Sequence, residues 1–112
     1  MKYLMLVVVD PDLEPKEDPP LTIEEWVDET YRSGRATDGD RLRPPAEAKT
    51  VRRRGGKVIV TDGPFAETHE WIAGFDILEC ENLEAAIEIA ARHPMSTSGI
   101  IELRPAWPLD LA

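Results

Sequence analysis

The sequence predicts an α+β domain in which two helices cover one face of an antiparallel sheet. Three observations point there. Segments of strand character alternate with two segments of helical period. The order is strand, helix, several strands including a tight hairpin, then strand, helix, strand. The connections are mostly short, so neighbouring elements pack on one another. This is the ferredoxin-like split βαβ arrangement with an extra β-hairpin. With 112 residues there is room for one domain, taken as residues 1–112, and one modest core.

Residues 3–9 are continuously apolar and rich in β-branched side chains, as expected of a central strand covered on both faces. Residues 10–20 hold four prolines and five acids and read as a loop. A helix then starts at Thr22. Glu25 three residues on completes a capping box, and Leu21 with Trp26 stands at the positions of a hydrophobic staple. Ile23, Trp26, Val27, Thr30 and Tyr31 form its apolar stripe, and Gly34 is the expected C-cap.

Residues 38–45 read as a short strand or extended loop. Residues 48–53 and 57–61 are strands, and Gly55-Gly56 between them suits a turn requiring positive φ. Residues 71–80 form a further strand, with Gly74 at a bulge or close approach. Asn82 caps a second helix over 83–92, with Leu83, Ala86, Ile87 and Ala90 as its stripe, and His93-Pro94 stops it. His93 is expected to be a helix-end cation favoured by the dipole. Residues 100–103 form the last strand. Trp71 and Trp107 suit either the core or a subunit interface. One face of the sheet has no cover from the two helices, and a second copy of the chain is the expected cover.

The net charge is −9. Phosphate backbones repel such a protein, so nucleic acid is not an expected partner. The charge is uneven: residues 1–30 carry nine acids against two lysines, whereas 49–57 carry Lys49, Arg52, Arg53, Arg54 and Lys57 with no acid. The two patches are either solvated faces or self-complementary docking surfaces. The single cysteine, Cys80, excludes an internal disulfide and suits the cytoplasm; it is expected to be packed in or at the end of a strand. No segment is long enough to span a bilayer, so no membrane role is expected.

Candidate chemistry centres on Asp62-Gly63-Pro64-Phe65-Ala66-Glu67-Thr68-His69-Glu70. Glycine and proline shape a turn, and Asp62, Glu67 and His69 bring titratable groups close together in sequence. Asp62, His69 and Glu67 are the candidate catalytic residues for metal-independent proton transfer on a small organic acid. Phe65 would wall the site, and Arg41 or Arg43 would bind the ligand's anionic group. Each has a plainer reading: Asp62 as a turn former, Glu67 and His69 as surface groups. Two histidines and one cysteine lie far apart without ligand spacing, so no metal is expected, and no cofactor motif is present.

The run "TDGPFAET", followed by "AGFDILE", resembles the DGPF signature of the YCII-related family. "MKYLMLVV", "RLRPPAEAKTVRRRGGKVIVTDGPF", "NLEAAIEIAARHP" and "GIIELRP" extend the resemblance over nearly the whole chain. The resemblance implies a ferredoxin-like fold assembled as a homodimer of the α/β-barrel kind. In the wider family a histidine and an aspartate are proposed as an acid–base pair. That aspartate looks like Asp62, but no histidine follows the first helix, where Arg32, Arg35 and Arg41 stand. His69 is a local substitute, at a position where the DGPF type more often has lysine. Two functions remain open: a lyase- or isomerase-type acid/base enzyme, or a non-catalytic dimeric module binding a ligand or a protein. A regulatory role is suggested by the association of some members with sigma factors.

Overall fold

The computed structural model describes residues 1–110. Its elements run β1 (Lys2–Val9), α1 (Ile23–Arg32), β2 (Ala36–Arg41), β3 (Lys49–Arg54), β4 (Lys57–Asp62), β5 (Trp71–Glu79), α2 (Leu83–Arg92), α3 (Met95–Ser98) and β6 (Ile100–Pro105). A single 3-10 turn, Pro45–Glu47, precedes β3. Four strands form an antiparallel sheet in the order β2-β5-β1-β6, while β3 and β4 form a separate two-stranded sheet. The two βαβ units interleave as the sequence predicts, with the hairpin inserted between them. The four-stranded sheet is open and does not close into a barrel within one chain.

The local signals act as expected at α1. Glu25 N–H donates to Thr22 Oγ1 at 3.1 Å and Thr22 N–H donates to Glu25 Oε1 at 3.0 Å, so two orphan amides are satisfied reciprocally. Ser33 is the C-cap and Gly34 follows it at φ 80°. Gly55 and Gly56 at φ 57° and 77° make the turn joining β3 to β4, a conformation costly for any residue with a Cβ. The pairing of β1 with β5 shifts register between Val7 and Val8, opposite Gly74 and Ile72.

The core lies between the sheet and α1 and α2. Tyr3, Met5 and Val7 of β1 face it, with Leu78 of β5, Trp26 of α1 and Ala86, Ile89 and Ala90 of α2. Trp26 is 1% exposed, and its indole N–H donates to the Ile89 carbonyl at 3.0 Å, fastening α1 to α2. Cys80 is buried, as expected.

The stripes differ from expectation in detail. Ile23 and Val27 of α1, and Leu83 and Ile87 of α2, are exposed, while Ile89 is buried. Each helix carries more apolar surface than the sheet covers, and the Trp26–Ile89 contact sets which part turns inward. Residues 95–98 form a short helix and the last strand runs on to Pro105.

His93 is a correction. It is 4% exposed, and its ring meets Trp26 edge-on at 4.7 Å between centroids. The Met95 N–H donates to its Nδ1 at 3.0 Å. Burial lowers its pKa from 6.5 to about 4, so it is a neutral core residue and not a helix-end cation.

Alternation along β1 puts Leu4, Leu6 and Val8 on the sheet face away from the helices. Ile77, Phe75 and Ile72 of β5 stand opposite them. The middle of this face is apolar, its edges carry Asp38 and Asp40 of β2 and Glu102 and Arg104 of β6, and among the described residues no element packs over it. The molecule measures 49 × 44 × 19 Å, and the short dimension is that of one sheet with one helix layer. Its radius of gyration, 16.4 Å, exceeds the roughly 13 Å of a compact domain of this length.

Candidate functional site

Asp62 closes β4, and Gly63 next to it has φ 91°. Gly63 N–H donates to the Ala48 carbonyl at 2.7 Å, and Thr50 Oγ1 donates to the Gly63 carbonyl at 2.7 Å. These bonds anchor the DGPF turn to the start of β3. The Asp62 carboxylate pairs with the Lys49 ammonium across the hairpin, and its side chain is 84% exposed. This is the setting of a surface ion pair, open to water on all sides but one.

The other sequence candidates scatter. Phe65 is 85% exposed on the turn. Glu67 is exposed. Arg43 Nε lies 3.1 Å from both carboxylate oxygens of Glu47, four residues on. Arg41 ends β2, exposed, and among the described residues has no carboxylate partner within ion-pair distance.

His69 does have a partner, but it is not Asp62. Its Nε2 lies 2.6 Å from Asp12 Oδ2, in the loop after β1. Asp10 lies beside them: one donor atom from each of Asp10, Asp12 and His69 falls within 4.8 Å of the others. Asp12 N–H donates to Asp10 Oδ1 at 3.0 Å, which fixes the Asp10 carboxylate. Sequence reasoning missed this cluster because Asp12 and His69 are 57 residues apart. β1 and β5 are antiparallel neighbours, with Val9 opposite Trp71, so the loop leaving β1 and the loop entering β5 meet at one end of the sheet.

A second unforeseen pair sits between α1 and β5. The Tyr31 hydroxyl donates to Asp76 Oδ1. Burial raises the Asp76 carboxyl pKa, and the hydrogen bond from Tyr31 only partly offsets it. Burial and the neighbouring carboxylate push the Tyr31 hydroxyl up as well. A cleft of about 390 Å³ opens between the helices, lined by Glu29, Ser33, Arg35, Glu88 and Arg92 among others. Arg92 holds Glu29 there through two hydrogen bonds of 2.7 and 2.8 Å.

Among the described residues no helix is long and apolar enough to cross a membrane. The model of the YCII-related domain matches residues 1–110. A relative from Rhizobium meliloti (strain 1021), named Uncharacterized protein R00369, is 40% identical over 67 residues. The match covers 58% of this chain, and the chain spans about half of that relative, 54% of its length. The domain match runs from β1 through the DGPF turn to the loop after β6, and the chain belongs to the YCII-related family.

Proposed function

We propose that this chain works in the cytoplasm as a homodimeric module that binds a small organic acid without transforming it. The observation carrying this reading is the uncovered apolar face of the four-stranded sheet, built on Leu4, Leu6, Val8, Ile72, Phe75 and Ile77. A central apolar strip with charged residues at its rim, here Asp38, Asp40, Glu102 and Arg104, is the anatomy of a protein interface. A stable dimer buries on the order of 1,200–2,000 Å², which a sheet face plus a hairpin can supply.

The hairpin supports the same reading. Val51 pairs with Val60 and Arg53 with Val58, so the three valines share one face, and all three are exposed. A lone two-stranded sheet is marginal in water, and a second copy would cover it. Arg52, Arg53 and Arg54 would meet the acids of the first 30 residues, the self-complementary option left open by the charge pattern. Arg41, exposed and without a carboxylate partner among the described residues, is the residue for the ligand's anionic group.

The acid/base enzyme is the second reading, and the His69–Asp12 contact favours it: an imidazole held by a carboxylate can move protons near neutral pH. In it, Asp12 takes the part that the family resemblance gives to Asp62, and Glu67 stays a candidate. One experiment separates the two. The wild type and the Arg41→Ala, Asp62→Asn and His69→Ala variants are titrated by NMR with a panel of small carboxylic acids. The binding module requires saturable shifts, lost in Arg41→Ala, with every acid recovered unchanged. Conversion of an acid that disappears in His69→Ala would overturn it in favour of the enzyme.

A further inference from the structure

We propose that Asp10, Asp12 and His69 bind a divalent transition-metal cation of the zinc class at the β1/β5 end of the sheet. The donor set is one imidazole nitrogen and two carboxylates, the mixed nitrogen and oxygen chemistry that Zn²⁺ takes at open sites. The geometry is close to what the ion needs. Zn–N and Zn–O bonds of about 2.0–2.2 Å put tetrahedral donors roughly 3.3 Å apart. The donor atoms here lie within 4.8 Å of one another, and the His69–Asp12 pair stands at 2.6 Å. Movements of about an ångström by exposed side chains, small beside their rotamer freedom, bring all three onto one ion.

Charge points the same way. Two carboxylates face one spot, in the most acidic stretch of a chain with net charge −9. Among the described residues neither Asp10 nor Asp12 has a lysine or arginine within ion-pair distance; the imidazole of His69 is the group in contact with the Asp12 carboxylate. A cation at that spot relieves the repulsion between the carboxylates. The site is also pre-ordered on one side, because the Asp12 amide already holds the Asp10 carboxylate.

No metal is expected from the sequence because ligand spacing within one segment is absent; the ligands come from two loops that the sheet brings together. The proposal rests on neither reading of function above. An ion on Nε2 would also withdraw His69 from proton transfer, so the two roles exclude each other at this residue.

The test is isothermal titration of the wild-type protein with ZnCl₂ alone at pH 7, with MgCl₂ in parallel. The other soft donors, His93 and Cys80, are buried, so they do not compete. One equivalent of Zn²⁺ is expected to bind saturably, with Mg²⁺ far weaker. His69→Ala and Asp12→Asn are each expected to lose at least about tenfold in affinity, the size of loss that even outer-shell changes cause. Circular dichroism confirms that both variants are folded, and Asp10→Asn serves as the replacement for either that is not. Absence of saturable binding, or equal binding by folded His69→Ala protein, would overturn the proposal.

Discussion

His93 carries the clearest single-residue consequence. It is neutral in the folded protein because burial against Trp26 lowers its pKa from 6.5 to about 4. The unfolded chain binds the proton first as the pH falls. Its contribution to stability is therefore complete above the unfolded value of 6.5 and is lost on acidification down through about 4. The loss at pH 5 is about 2 kcal/mol, from 1.36 kcal/mol for each unit between the two values. Thermal unfolding of wild type and His93→Gln at pH 8 and pH 5 checks this. The wild type is expected to lose more stability than the variant, and an equal loss in both would contradict it. Sequence alone misplaced His93, because the helix-end position is local information and the Trp26 ring that buries it comes from another element. The Thr22–Glu25 capping box was legible for the converse reason: all its partners lie within one turn.

At the scale of elements, strands and helices with strong local signals stand where the sequence puts them, α2 to the residue. Which side of each helix is buried was less legible, since apolar period marks a stripe but not how much of it a neighbour covers. The candidate site was the least legible. Asp62, Glu67 and His69 are close in sequence, yet β4 ends at Asp62 and the turn then leads away, so His69 meets Asp12 at the β1/β5 end of the sheet. The hairpin β3–β4 offers a test of its own. Its valine face contributes little to the fold of a single chain, so Val58→Lys is expected to change unfolding free energy by no more than about 0.5 kcal/mol under dilute conditions. The same change should weaken self-association on the order of tenfold, as removal of an interface contact does. Sedimentation velocity over a dilution series measures the second effect. Strong destabilisation with unchanged association would place the hairpin in the monomer's own core.

For the whole molecule, the continuous apolar run of β1 looked like a strand covered on both faces, and within one chain it is covered on one. The helices supply a single layer, and the slab is 19 Å thick. A second copy would supply the missing layer, and the cover of the hairpin valines and the proposed ligand-binding role rest on that proposed dimer. Trp107, 94% exposed just beyond β6, adds a large aromatic surface that a partner would bury. Leu6 lies mid-strand on the open face, opposite Phe75 of β5 and Glu102 of β6. A glutamate there would set a second carboxylate beside Glu102 within the proposed interface and leave the helix-side core untouched. The measurement is the mass in solution by light scattering at micromolar concentration, for wild type and Leu6→Glu. The wild type is expected at twice the chain mass and a folded Leu6→Glu variant at the single-chain mass. A monomeric wild type, or a variant that remains dimeric, would contradict the proposed interface.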